Sequence, residues 1–333
     1  MKDIECWQTF LWWRILMLRI VLFALLGLAF TGCASTPQAK SQNAAAPATE
    51  AVAVEESAAA EAVVTKEAAL SPGLNLDEIP FQAFNPEKPE GIHVYVISGS
   101  LKEGPFSAIV RFPPGMMSPL HSHSSSYSGV VMSENMVHSS SADDKETLPI
   151  NSYWHQPAGE PHIDGCLSEE PCYLLVFMDG PVDMTPAEQP AAEPKAKITR
   201  GDAIPWQEVK AGVQMAVITG NPKEGPFQAL FQFPAGMTTN VHTHEANFTG
   251  GLLAGTHHRG PAADALVTLK SRAVWNQPAG TPHMEKCGDE GPCLFAGAMD
   301  AALNTQSVEV TAGAAAETPA ADETRAPEAT SAD

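Results

Sequence analysis

Gly115-Met116-Met117-Ser118-Pro119-Leu120-His121-Ser122-His123 and, further on, Gln156-Pro157-Ala158-Gly159-Glu160-Pro161-His162 decide the reading of this chain. Both stretches return 121 residues later, as Gly236-Met237-Thr238-Thr239-Asn240-Val241-His242-Thr243-His244 and Gln277-Pro278-Ala279-Gly280-Thr281-Pro282-His283. The match extends without a gap over residues 99–180 and 220–301, with 31 of 82 aligned positions identical. Chance does not give that agreement at a constant offset, so the chain holds two copies of one fold. Upstream, Ile79-Pro80-Phe81 answers Ile204-Pro205-Trp206.

Within a copy the elements read as strands. His93-Val94-Tyr95-Val96-Ile97-Ser98 and Ser107-Ala108-Ile109-Val110-Arg111-Phe112 alternate, and Gly and Pro break the chain about every ten residues, the pattern of a sandwich or barrel. Tyr173-Leu174-Leu175-Val176-Phe177-Met178 is continuously apolar, as in a strand buried on both faces. No long stretch keeps a helical period. The expected fold class is all-β: two tandem small antiparallel barrels, over 76–180 and 198–303. The Pro/Ala/Glu-rich segment 181–197 reads as a linker between them, and 304–333 as a disordered acidic tail.

The chemistry lies in three histidines per copy. Residues i and i+2 of a strand share a face, so His121 and His123 point one way, as do His242 and His244. His162 and His283, each after a Pro-x-Gly turn, are the natural third members. Of the chain's 11 His, six are these three positions kept in both copies. Three neutral imidazoles leave a divalent ion with its full charge and open positions, which favours water, hydroxide or a chelating anion. Ligand softness allows Fe, Zn, Mn, Ni or Cu. His138, His257 and His258 lack a histidine at the matching place in the other copy and read as loop or rim residues.

Gly115-x5-His121-x-His123 with Pro157-x-Gly159-x2-His162, repeated from Gly236 to His283, resembles the two short motifs of the cupin superfamily. Two copies resemble a bicupin, and among cupins the pattern looks closest to a family of unassigned function. The resemblance implies a double-stranded β-helix with a metal in the barrel mouth. Its three-His members, such as thiol dioxygenases, imply oxygenation; dimerisation through barrel edges is a further family expectation, with pairing of the two barrels inside one chain as the alternative. One departure stands out. The Glu usual four residues after the second His is Tyr127 in the first copy and Phe248 in the second. Both should face inward. Phe cannot ligate, whereas Tyr127 can bind a metal or a substrate, or simply pack, and is the candidate catalytic residue. The second copy is therefore the one expected to have lost chemistry.

Cys166 and Cys172, and their counterparts Cys287 and Cys293, follow the third His at a Cys-x5-Cys spacing suited to bridging a hairpin. Disulfides persist outside the cytoplasm; the rival reading gathers all four thiols on one zinc ion. Trp154/Trp275 and Gln156/Gln277 also recur, and read as barrel packing and turn satisfaction, with ligand contact as the alternative for Gln156.

The outer parts of the chain address its location. Arg14 and Arg19 are followed by an apolar run from Ile20 to Phe30, too short for a comfortable span and suited to a signal h-region. It ends in Phe30-Thr31-Gly32-Cys33, which resembles a bacterial lipobox. That resemblance implies removal of 1–32 and acylation of Cys33, and Ala34 in place of Asp favours the outer membrane facing the periplasm. An uncleaved anchor is the alternative. Residues 33–75, rich in Ala, Ser, Gln and Glu, read as a tether; a coil of about 40 residues spans roughly 35 Å.

Composition limits the partners. The 333 residues carry 19 Lys+Arg against 39 Asp+Glu, a net charge of −20. Such a balance disfavours neutralising phosphates and argues against nucleic acid, and membrane contact is expected only through lipid on Cys33. A small anionic organic molecule is the expected ligand. Its binding competent element is the metal, not the protein surface. Three functions follow: a three-His metal enzyme, a metal-dependent binding or sensor protein, or a structural bicupin.

Overall fold

The computed structural model describes residues 73–308. The signal segment, Cys33, most of the tether and most of the tail lie outside the described residues. The regular structure of the described part is antiparallel strand, apart from one 3-10 turn at Leu76–Glu78.

In barrel one, the larger sheet runs in the order Gln82–Ala83, His93–Gly99, Phe106–Phe112, Cys172–Met178, Tyr127–Val131, Tyr153–Gln156, Lys197–Thr199. A facing sheet orders Thr147–Leu148, Met136–Ser139, Ile163–Cys166, and His121–Ser122 pairs with Thr185–Pro186. Barrel two repeats the plan. Its larger sheet runs Gln207–Lys210, Val213–Gly220, Phe227–Phe233, Cys293–Met299, Phe248–Ala254, Val274–Gln277. Val267–Leu269, His257–Gly260 and Met284–Cys287 face it, and His242–Thr243 pairs with Gln306–Ser307.

Side-chain alternation explains why the central strands are apolar throughout. Phe106, Ala108 and Phe112 point into barrel one with Leu174, Val176 and Met178. Their neighbours Ile109, Leu175 and Phe177 point outward, yet are equally buried. They meet Ala216, Leu230, Leu253 and Ala296 of barrel two in a third core between the large sheets. A fully buried Leu or Phe is stabilised by roughly 1.5–3 kcal/mol relative to exposure, so this core contributes to holding the barrels together. Ser98 Oγ lies 2.9 Å from Thr249 Oγ1 across the junction. Leu74 pairs with Val274, which adds the chain before barrel one to barrel two.

Each interior closes over a tryptophan. Trp154 and Trp275 are fully buried, and a Cβ on Gly129 or Gly250 would collide with the respective indole. The recurring glycines are thus the space that the recurring tryptophans occupy.

Three boundaries differ from the expectation. The 181–197 segment is not a linker: Thr185–Pro186 pairs with His121–Ser122, and Lys197–Thr199 pairs with Tyr153–His155 of barrel one. The Glu160 carboxylate accepts from the amides of Lys195 at 2.8 Å and Ala196 at 2.9 Å. The start of the tail, 304–308, is likewise part of barrel two through Gln306–Ser307. The end of the tether is ordered too, with Asn75 accepting from the Lys270 amide at 2.9 Å. Strand pairing and side-chain acceptors for main-chain amides hold these segments, and composition does not register those.

Candidate metal centres

His121 and His123 leave the short strand that Thr185–Pro186 completes, and His162 faces them from the next segment, its backbone paired with His121 in both directions. His242 and His283 repeat that bridge. The result is two trios, His121/His123/His162 and His242/His244/His283. In each, one nitrogen per ring lies within 4.8 Å of the others. Ring centroids are 4.4–5.1 Å apart in barrel one and 4.2–5.2 Å apart in barrel two.

The tautomers are set by the backbone. His121 Nδ1 lies 2.9 Å from the Pro119 carbonyl and His162 Nδ1 3.1 Å from that of Glu160; His123 Nδ1 meets the Asp183 carbonyl. Barrel two repeats all three, with Asn240 at 2.8 Å, Thr281 at 3.0 Å, and Asn304 as the acceptor for His244. A carbonyl oxygen only accepts, so each Nδ1 carries the hydrogen and each Nε2 keeps its lone pair. Six of six rings are therefore held as Nε2 donors. Metal-ligating histidines are oriented by this kind of outer hydrogen bond. Two of the acceptors, Asp183 and Asn304, sit in segments that sequence read as linker and tail.

Burial favours the same neutral state. It lowers His121, His123 and His244 below the usual imidazole value, and His283 to about 4. Burial opposes charge at His162 too, but the hydrogen bond and charge of Asp164 outweigh it and raise this residue. His283 Nε2 is buried with no hydrogen-bond partner in the protein, which is the expected condition of a ligand atom. The donor set fits a divalent ion.

Tyr127 and Phe248 both face inward, 3% and 6% exposed. The Tyr127 hydroxyl lies 3.0 Å from His162 Nε2. Burial, then the charge of Asp164, push the phenol well above its ordinary value, so it remains protonated.

Beneath each trio lies a feature that sequence reasoning missed. Asp164 and Glu285 are equivalent carboxylates, and His138 and Arg259 are equivalent basic residues. His138 Nδ1 lies 2.8 Å from Asp164 Oδ1, its Nε2 3.1 Å from Gln156 Oε1, and its ring stacks on Trp154 at 4.0 Å. Arg259 Nε donates to Glu285 Oε1 at 3.0 Å, Nη2 to Gln277 Oε1 at 3.5 Å, and the guanidinium lies 4.5 Å over Trp275. Gln156 and Gln277 also donate to the Glu160 and Thr281 carbonyls of their turns, at 3.0 and 3.1 Å. Burial works against charge on both carboxylates. Hydrogen bonds and charge from His138 and His162 nevertheless hold Asp164 well below the usual range, and Arg259 holds Glu285 at about 2.

His138 is thus no rim residue; it is 3% exposed in the base of barrel one. His257 is also buried, stacked on Phe295 at 5.3 Å. Only His258 of that group is on the outer side, bonded to Thr268 Oγ1 at 3.0 Å. Comparing the copies by charge class instead of identity would have found the 138/259 and 164/285 pairs. The cysteines form Cys166–Cys172 and Cys287–Cys293 disulfides, each with Cα atoms 5.6 Å apart. This removes the single four-thiol zinc site.

Two β-barrels in tandem, each with a histidine trio in its mouth, define a bicupin. The chain belongs to the family described as a domain of unknown function (DUF4437), whose model matches residues 95–296. No curated protein matches it in sequence. Among solved structures it is similar to a candidate dioxygenase of Nostoc punctiforme, with 14% identity, a TM-score of 0.51, and coverage of 67% of this chain and 88% of that one. It is also similar to oxalate decarboxylases. That of Lactobacillus farciminis gives 13% identity, TM-score 0.47 and coverage of 74% and 90%. That of Bacillus subtilis gives 15%, 0.46, and 73% and 80%. At these identities the likeness is one of fold.

Proposed function

We propose that the protein is a three-histidine metal enzyme, oxygenase-like, acting on a small anionic organic substrate outside the cytoplasm. The observation that carries this reading is the fixed tautomer of all six rings: six backbone carbonyls hold six Nδ1–H groups, leaving six convergent lone pairs. A bound divalent ion, drawn from Fe, Zn, Mn, Ni or Cu, supplies Lewis-acid or redox chemistry at the positions the imidazoles leave open. The chain's own part is to orient the rings, exclude water through the closed barrel base, and present the protonated Tyr127 hydroxyl beside His162. A phenol that stays neutral is suited to donating a hydrogen bond to an anionic substrate. Barrel one is the reacting site in this proposal. Phe248 removes the corresponding hydroxyl from barrel two, which favours metal-dependent binding there without turnover.

The test is metal analysis of the natively purified full chain, followed by O2 uptake and turnover of small organic acids after loading with Fe(II). About two ions per chain and a turnover lost in His162→Ala are expected. Metal-dependent acid binding without turnover under any of the five metals would leave a binding protein instead. We further propose that lipid on Cys33 tethers the barrels to the outer membrane, facing the periplasm. Fatty-acid labelling that survives Cys33→Ala would refute this.

A further inference from the structure

The two trios have different electrostatic floors. In barrel one, Asp164 bridges: Oδ1 bonds His138, while Oδ2 faces the trio, 3.5 Å from His162 Nε2 and 3.8 Å from His121 Nε2. In barrel two, the longer Glu285 stands farther from the trio, though its charge still acts on His283 and His244. Its Oε1 lies 3.0 Å from Arg259 Nε and 3.8 Å from His257 Nε2. Among the described residues, no carboxylate oxygen comes within 4.0 Å of a nitrogen of His242, His244 or His283.

We infer that Asp164 takes over the electrostatic part of the carboxylate that Tyr127 displaced, and that this makes barrel one the high-affinity metal site and barrel two the weak one. The reasoning rests on the metal reading of the trios. Three imidazoles leave a dication uncompensated, and a buried anion close to two of its ligand atoms favours the bound state strongly in a low-dielectric interior. Barrel two has the same three donors, but its anion is committed to a guanidinium that carries a permanent positive charge. The guanidinium itself sits beneath the trio and repels a cation. Asp164 is a positioning residue here: it acts on the metal through charge and through the His162 ring, and no bond from it to the ion is required.

The exchange of side chains between copies supplies the controls. Full-length protein is prepared metal-free as His242→Ala, which keeps the barrel-one trio, and as His121→Ala, which keeps that of barrel two. Zn2+ affinity is measured by competition with a chromophoric chelator, and folding by near-UV circular dichroism. The His242→Ala protein is expected to bind at least about tenfold more tightly than the His121→Ala protein. Adding Asp164→Asn to the former should remove that advantage. Should Asp164→Asn fail to fold, H138R/D164E places in barrel one the pair that barrel two already packs, and should lower affinity to the barrel-two value. Equal affinities in the two backgrounds, or an unchanged affinity in folded Asp164→Asn or H138R/D164E protein, would overturn the inference alone. Zn2+ binding in neither background would overturn the metal reading and the inference with it.

Discussion

Replacing His257 by Met should make the metal-free protein markedly less sensitive to acid. His257 is fully buried, stacked on Phe295 and near Phe233, with neither ring nitrogen hydrogen-bonded. Barrel one carries Met136 at the same position, also fully buried, so the substitution installs a side chain that this fold already accepts. Burial lowers the His257 pKa to about 4, against about 6.5 in the unfolded chain. The neutral ring is therefore the form that fits the fold. Between these two values the unfolded state takes up a proton that the folded state refuses, and stability falls as pH falls. At pH 5 this residue alone costs about 2 kcal/mol relative to pH 7.5. His283, lowered to about 4 by burial, adds a similar loss that the variant keeps. Glu285, held at about 2, adds acid sensitivity only below the ordinary Glu value, so it does not enter at pH 5. Urea unfolding of metal-free wild type and His257→Met, followed by tryptophan fluorescence, measures the effect. The stability difference between them should shift by about 2 kcal/mol in favour of the variant from pH 7.5 to pH 5. A difference that stays constant over that range would refute the assignment of the acid sensitivity to this buried ring.

Gly250→Ala should lower the stability of barrel two by roughly 1–3 kcal/mol, read as a fall in thermal midpoint, because its new Cβ meets the Trp275 indole. Opening either disulfide by Cys→Ser pairs should cost about 2 kcal/mol in denaturant titrations, the value for a short closed loop; a reductant should reproduce it in the wild type. Glu160→Gln should weaken the anchoring of Lys195 and Ala196 by roughly 1–2 kcal/mol. Hydrogen exchange should then rise over 183–196 while the inter-barrel core stays protected.

Much of the fold was legible because the duplication wrote it twice. Gly115, His121, His123, Gly159 and His162 recur with Trp154 and the paired cysteines, and each recurrence separates a requirement of the fold from an accident of one copy. The charged floor was harder to read. Asp164 answers Glu285 and His138 answers Arg259, so a test of identity passes over both pairs although their charge class persists. The segments at 183–199 and 304–308 were illegible for another reason. They are held by main-chain pairing and by carboxylate or carbonyl acceptors, and such bonds leave no mark on hydrophobic periodicity.

By itself the sequence determined that there are two β-barrels, which three imidazoles each contributes, and that Tyr127 and Phe248 differ where a carboxylate is usual. These follow from local spacing, since alternation along a strand fixes which side chains share a face. Only the tertiary structure decided the tautomer of each ring, the carbonyls that impose it, and the unequal placement of Asp164 and Glu285. Four of the six carbonyls lie only two residues before their histidine, but those of Asp183 and Asn304, and the hydroxyls of Ser118 and Thr239 that hold the Asp164 and Glu285 amides, meet their partners from 46 to 60 residues away, and no local pattern encodes such a meeting.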